Sequence, residues 1–369
     1  MNILITLTSN KRRPINNSLK KVILSVIAAN KDNKFKVFGI VEKTEINENY
    51  RLIESLGAEV LALDQDSLFS EVLKVREMVV DKRIDIIHCA GFKQLAFYFL
   101  SMMGLRRSIS LVMTERDTDR WKGKIDRFVS KAFLYITKPN LHILNLRHFS
   151  YLKKKKHLYQ NIAMIGNAIG SYDTSMMTGV ALDRQYLNVC YIKSIRGDTG
   201  HDDIIKLGIL IKQTSSKILI HVIGAGTLHK RFLNQIIEYK LEKVVVTYGL
   251  VENKKALSML SNMDLGITVS PTEMMPNFIL ECLSLGIPVI GYKTQGVEDI
   301  IVNNSNGYLI EKADTRAFLS KMEGLLNDEL KLKELSYNAL SSASKYSYLN
   351  IGNQIINFYN QIKDSHVKF

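Results

Sequence analysis

The sequence predicts an α/β protein of two domains, each a parallel sheet with helices on both faces. Three observations carry this. The chain has 369 residues, more than one ordinary core accommodates, so two domains of about 150–200 residues each are expected. Short apolar runs of strand length alternate with helix-length segments from one end to the other, the pattern of strand–helix–strand units. That alternation is interrupted once, near residues 165–184, by IGNAIGSYDTSMMTGVALDR, rich in Gly, Ser, Thr and Asp, and then resumes.

In the first series the strand candidates are NILITLT (2–8), KVFGIV (36–41), EVLAL (59–63), IDIIHC (84–89), SISLVMT (108–114) and HILNL (142–146). Between the first two lies SLKKVILSVIAAN, where Asn17 or Ser18 is placed to cap a helix and Val22, Val26 and Ala29 share one face. The second series offers LNVCYI (187–192), KILIHVIG (217–224), VVVTYG (244–249), LGITVS (265–270) and IPVIGY (287–292). The expected domains are 1–168 and 186–347, joined by a linker over 169–185.

The segment after LGITVS carries the most chemistry. SPTEMM leaves the carboxyl end of that strand, and Pro276 is suited to be the first residue of the next helix, where a missing N–H is not needed. The helix runs to about Leu285 and ends at Gly286. Open parallel sheets bind ligands beyond the carboxyl ends of their strands, and a helix N-terminus there offers N–H groups to phosphate. Glu273 thus lies at the rim. Glu281 stands among Phe278, Ile279, Leu280, Cys282, Leu283 and Leu285 on a helix apolar on every side, so burial is expected, and a buried carboxylate requires strong hydrogen-bond donors. A ribose diol supplies two; a structural Lys or Arg is the other reading.

Charge is unevenly distributed. The net charge is +14, and residues 1–170 hold 29 Lys and Arg against 16 Asp and Glu, leaving 21 against 20 for the remainder. A basic half attracts an anionic partner: nucleic acid, a membrane surface or a phosphorylated substrate. The Lys153–Lys156 run is either a solvated face or a lipid or phosphate contact. Cys89, Cys190 and Cys282 have no metal-like spacing and read as reduced buried thiols. The opening MNILITLTSNKRR is too short in its apolar run for a signal peptide, and no segment has membrane-span length. A cytoplasmic protein is expected.

SPTEMMPNFILECLSLGIPVIGYKTQGVEDIIVNNSNGYLI resembles the E-x7-E segment of retaining GT-B glycosyltransferases, especially family 4: Glu273, Pro276, Glu281, Gly286, Pro288, Gly296, Glu298, Asn306 and Gly307 fall at matching positions. HVIGAGTL and the stretch from Val244 to Ser270 are similar to the family's Gly-x-Gly turn and nucleotide-facing loop, and NAIGSYD (167–173) to its domain-linking stretch. The resemblance implies two Rossmann-like domains facing a central cleft, with a last helix near 348–363, within 348–369, packing back on the first domain. It implies a nucleotide-sugar donor on the second domain and a saccharide or lipid-linked acceptor on the basic first one. Glu273 would contact the donor sugar and Glu281 the ribose. Backbone N–H groups of Met275, Pro276's neighbour, through Asn277 and Phe278 would hold the diphosphate, with Gly224 in the preceding glycine turn. Gly249, Leu250 and Val251 would face the base. It implies no cofactor and no metal. Bacterial capsule, O-antigen or exopolysaccharide synthesis, at the inner face of the cell membrane, is the expected setting, and no nucleic-acid partner is expected.

The sequence departs from the family in three places. The Arg and Lys that clamp the diphosphate in family members are replaced by Ser194 and Thr199; nearby Lys193 and Arg196 are candidate substitutes or solvent-facing residues. Where the family has a T-x-H segment, VMTERDT places Arg116, read equally as a phosphate or acceptor contact and as a surface partner of Glu115 or Asp119. The family's glycine-rich first loop is replaced by SNKRRPINN, in which Lys11, Arg12 and Arg13 are a candidate acceptor site or an exposed turn. These departures leave open a catalytically weak GT-B partner subunit, and a nucleotide-sugar epimerase is a third reading. Asp117-Thr118-Asp119 resembles a GT-A metal motif but leaves the Glu273 region without a role. Gly224-Ala-Gly226 lacks the third glycine of a dinucleotide box, His229 standing there. His88, His201 and His221 have no ligand-like spacing, and Trp121, flanked by cations, suits either a membrane interface or the first core.

Overall fold

The computed structural model describes residues 1–6, 17–32, 34–42, 51, 54–55, 57–63, 68–105, 108–115, 124–172 and 182–366. The chain divides into two compact units, Met1–Ala168 with Tyr346–Phe369, and Ile169–Lys345.

Among the described residues the first unit holds seven strands: β1 (Asn2–Thr6), β2 (Lys36–Glu42), β3 (Glu59–Leu63), β4 (Ile86–Ala90), β5 (Ser110–Glu115), β6 (Asn140–Ile143) and β7 (Ile162–Met164). They pair in parallel in the order β3-β2-β1-β4-β5-β6-β7. Successive strand residues face opposite sides, and the cores divide accordingly. Ile3, Ile5, Val37, Ile86 and Val112 pack with Leu19, Ile23 and Val26 of α1 (Asn17–Ala29). On the other side Leu4, Phe38, Ile87, Met113 and Leu141 pack with residues of α2 (Leu68–Asp81), α3 (Gly91–Met102) and α4 (Lys124–Thr137).

The second unit holds, among the described residues, β8 (Leu187–Ile192), β9 (Ile218–Ile223), β10 (Val245–Thr247), β11 (Leu265–Thr268), β12 (Val289–Tyr292) and β13 (Gly307–Ile310). Their order, β10-β9-β8-β11-β12-β13, is again all parallel. The order reverses between β8 and β11, the topological switch point at which such sheets bind ligands. α6 (His201–Thr214) follows β8, α7 (His229–Glu238) follows β9, α8 (Asn253–Leu260) follows β10, α9 (Asn277–Ser284) follows β11, and α10 (Thr315–Leu326) and α11 (Glu329–Ala343) follow β13.

Four details differ from the sequence reading. HILNL is not one strand: β6 ends at Ile143, and Asn145 caps α5 (Leu146–Lys153) by accepting a 2.9 Å hydrogen bond from His148 N. β7 and β13 were not foreseen, since three or four residues are too few to show a period. Pro276 is the extended N-cap of α9, one position earlier than expected. α9 is not buried all round: Ile279, Leu280, Cys282 and Leu283 are buried, while Phe278, Glu281 and Ser284, spaced three apart on a third side, are half-buried. The long terminal helix α12 (Tyr348–His366) belongs to the first unit, where Ile351, Ile355, Phe358, Tyr359 and Ile362 complete the α1 side of its core.

A buried polar chain crosses the first unit. Tyr359 hydroxyl lies 2.7 Å from His88 Nδ1, His88 Nε2 2.6 Å from Thr114 Oγ1, Thr114 Oγ1 3.1 Å from His142 Nδ1, and His142 Nε2 2.8 Å from the Ile165 carbonyl oxygen. The carbonyl only accepts, so His142 Nε2 carries a proton. With both rings neutral, every donor then points along the chain from Tyr359 to Ile165.

Candidate functional site

The site is assembled from loops leaving five adjacent strand ends in the second unit. After β8, the backbone of Lys193 donates to Ile223 O at 3.0 Å, keeping it beside the end of β9. The turn after β9 closes onto it: Gly224 has φ +140°, and a β-carbon there would stand 2.0 Å from the Lys193 carbonyl oxygen. Only glycine allows that approach. Gly224 N in turn donates to Gly249 O at 2.7 Å, joining the loop after β10, whose tip residue Leu250 is 86% exposed beside half-buried Val251.

On the other side of the switch point, the loop after β11 carries Glu273. Its carbonyl accepts from Gly296 N at 2.9 Å, and a β-carbon on Gly296 would lie 2.0 Å from the Met274 carbonyl oxygen, so the loop after β12 is pressed onto it. Across the switch point Lys193 Nζ donates to Glu273 Oε1. These side chains are only 26% and 11% exposed. A pair this sheltered is less screened than a surface one. Met275 and Pro276 are buried, Asn277 and Phe278 half-buried, and α9 opens immediately after them, directing its positive end toward this rim.

The loop between Lys193 and α6 explains what became of the expected clamp. Thr199 is 1% exposed; its hydroxyl donates to Arg196 O at 2.8 Å and accepts from Arg196 N at 3.1 Å, and its own carbonyl accepts from the Tyr191 hydroxyl at 2.6 Å. His201 Nδ1 donates to the same Arg196 carbonyl at 3.0 Å. Thr199 is therefore a tie within the loop, and Ser194 is exposed. Arg196 is more than half exposed and pairs with Asp198 at 3.3 Å. Of the two candidate substitutes, the structure brings Lys193 to Glu273 and leaves Arg196 on the surface.

One group escaped the sequence reading. Thr294, after β12, is 2% exposed, and its hydroxyl has no hydrogen-bond partner among the described residues. A lone threonine in KTQG carries no sequence signal. Leaving it unpaired costs about 1–3 kcal/mol. Arg116, Lys11, Arg12, Arg13, Trp121 and the Asp117–Asp119 motif lie outside the described residues. The three cysteines are buried and free, with burial pushing each thiol up. Among the described residues no helix is long and apolar enough to cross a membrane.

Comparison with known proteins bears on the second unit's sequence and on the fold. Residues 179–342 match the family described as glycosyl transferases group 1. The capsular polysaccharide biosynthesis glycosyltransferase CapM of Staphylococcus aureus is 30% identical over 114 residues, covering 30% of each chain. The putative colanic acid biosynthesis glycosyltransferase WcaL of Escherichia coli K12 is 25% identical over 118 residues, covering 30% of this chain and 29% of its own. The matched segments thus span less than a third of these relatives. Among solved structures, Anabaena Alr3699/HepE in complex with UDP and glucose aligns over 98% of this chain and all of its own, with a TM-score of 0.75 and 16% identity. Residues 179–342 thus resemble the glycosyl transferases group 1 family, and the two parallel-sheet α/β units have the GT-B fold.

Proposed function

We propose that this chain is a retaining glycosyltransferase that moves a sugar from a nucleotide-sugar donor, UDP-linked in preference to GDP-linked, to a saccharide or lipid-linked acceptor in bacterial cell-surface polysaccharide synthesis. The sheltered Lys193–Glu273 pair at the switch point carries this reading. A cation and a carboxylate held together there match the two ends of the bond to be broken: Lys193 takes the departing diphosphate, and Glu273 faces the anomeric carbon as it becomes positive. Fixed charges of this kind need no reorganisation during the reaction. The carbon–oxygen bond to the diphosphate breaks, the acceptor oxygen bonds to the same face of that carbon, and its proton passes to a phosphate oxygen. Glu281 binds the ribose, the first turn of α9 the diphosphate, and Gly249–Val251 the base. Arg116 and Lys11–Arg13 of the first unit serve the acceptor, and the step uses no metal. The UDP bound by Alr3699/HepE supports the choice of base, and CapM and WcaL support the setting.

The buried, fully bonded Thr199 favours one second reading, a partner subunit that binds nucleotide without turnover. A melting-temperature series with UDP, GDP, ADP and CMP, run with assays of slow donor hydrolysis, separates the two. UDP is expected to give the largest shift. Glu273→Gln should lower hydrolysis about a hundredfold with the UDP shift retained, and Lys193→Met should weaken UDP about tenfold. EDTA should change neither. A UDP shift without any turnover transfers the conclusion to the subunit, UDP-GlcNAc conversion without acceptor transfers it to an epimerase, and no shift with any nucleotide removes the donor site.

A further inference from the structure

We infer that the outer face of α4, with the lysine-rich end of α5, is a docking surface for an anionic lipid bilayer. α4 reads KIDRFVSKAFLYIT. It buries Ser130 and Leu134, yet Phe128, Val129, Tyr135 and Ile136 are 74%, 55%, 61% and 72% exposed. At 100° per residue these four, with exposed Ala132, form one continuous stripe on the side opposite Leu134. Single exposed apolar residues are ordinary, but a helix in water normally turns polar residues outward along such a stripe. The apolar surface continues on α5, where Leu146 and Tyr151 are 53% and 52% exposed. The two helices are neighbours, since Ser130, Lys131, Leu134, Leu152 and Lys155 line one crevice.

Charge identifies the occupant. Residues 124–168 contain nine Lys and Arg and a single acid, Asp126. Lys131, Lys138, Lys153, Lys154 and Lys156 are exposed. Cations and rings share one surface: Lys138 Nζ lies 5.7 Å from the Tyr135 ring centre and Lys155 Nζ 4.1 Å from that of Tyr151. Aromatic and aliphatic residues at the level of the headgroups, ringed by lysines, are what a helix lying in an anionic interface presents. A second copy of the chain fits poorly, because a two-fold contact would set this cationic face against itself. For its use in catalysis the inference rests on the proposed lipid-linked acceptor; the surface itself does not depend on the donor site.

Vesicle flotation of the full chain tests it, with vesicles of phosphatidylcholine alone or with about 30% phosphatidylglycerol, at about 50 mM and about 500 mM salt. The protein should float with the anionic vesicles and about tenfold less with the neutral ones. Phe128→Ser/Ile136→Ser should cut partitioning about tenfold at either salt, and replacing Lys153, Lys154 and Lys156 by glutamine should cut it at low salt and flatten the salt dependence. Both variants change exposed residues, so unchanged melting temperatures show that folding is retained. The inference is overturned if the native chain ignores anionic vesicles, if the serine variant floats as well as the native chain, or if that variant instead abolishes a dimer. Vesicle binding by a chain that shows no nucleotide response upholds the surface while removing the donor reading.

Discussion

His221 shows how a single buried group couples this protein to pH. It sits on β9 at 4% exposure, stacked on Tyr248 with ring centres 6.0 Å apart. Asn188 commits its amide nitrogen to the Asp183 and Tyr186 carbonyls, so its oxygen is left to accept from His221 Nε2 at 3.0 Å. The neutral ring then accepts from the Tyr248 hydroxyl through Nδ1 at 2.9 Å. Burial holds the His221 pKa below its ordinary 6.5, with the Asp264 carboxylate acting in the opposite direction. The folded chain therefore binds this proton less readily than the unfolded chain does. The stabilisation is complete above pH 6.5 and is lost as pH falls through the lowered folded value. The melting temperature should drop between about pH 7.5 and about pH 5, and His221→Gln should make that slope shallower. An identical slope in the variant would show that other groups set it.

At the scale of elements, the site depends on loops held at van der Waals contact rather than on side-chain reach. Glu273 is placed because the segment after β12 lies against the segment after β11, with no room for a side chain at Gly296. Gly296→Ala should destabilise the second unit by about 1–3 kcal/mol as the backbone moves apart. A shift of about an ångström in Glu273 should reduce turnover about a hundredfold. The measurement is kcat beside a far-ultraviolet dichroism spectrum: the spectrum should be retained while kcat falls. A variant with native kcat would mean that the loop tolerates the displacement, and that Glu273 is positioned by Lys193 alone.

At the scale of the whole chain, the first unit is completed by residues that come last in the sequence. Ile351, Ile355, Phe358, Tyr359 and Ile362, five buried side chains of α12, each contribute about 1.5–3 kcal/mol. Their total is comparable to the entire stability of a typical domain, about 5–15 kcal/mol. Removing Tyr359 also leaves His88 Nδ1 without its 2.7 Å partner inside the core. A chain ending at Lys345 should therefore fail to fold its first unit, while the second, which contains none of α12, keeps its own transition. Calorimetry would show one lost transition and one retained; two intact transitions would contradict this account.

The class of fold was legible from the order of residues, because strand and helix patterns are local and repeat, and because burial imposes period two or 3.6 on any segment. That order also indicated the Glu273–Glu281 segment, since an acid within an apolar helix after a strand is a local anomaly. Single short strands such as β7, and the cap that ends β6 at Asn145, carried too few residues for a pattern to show. Tertiary structure alone decided which cation meets Glu273: Lys193 is 80 residues away in sequence, brought there by β8 and β11 pairing side by side. It likewise turned Thr199 inward as a loop tie, left one face of α9 open, and exposed the apolar stripe of α4. Each of these depends on which surfaces remain uncovered after the sheets assemble, and that is a property of distant pairings rather than of any window of residues.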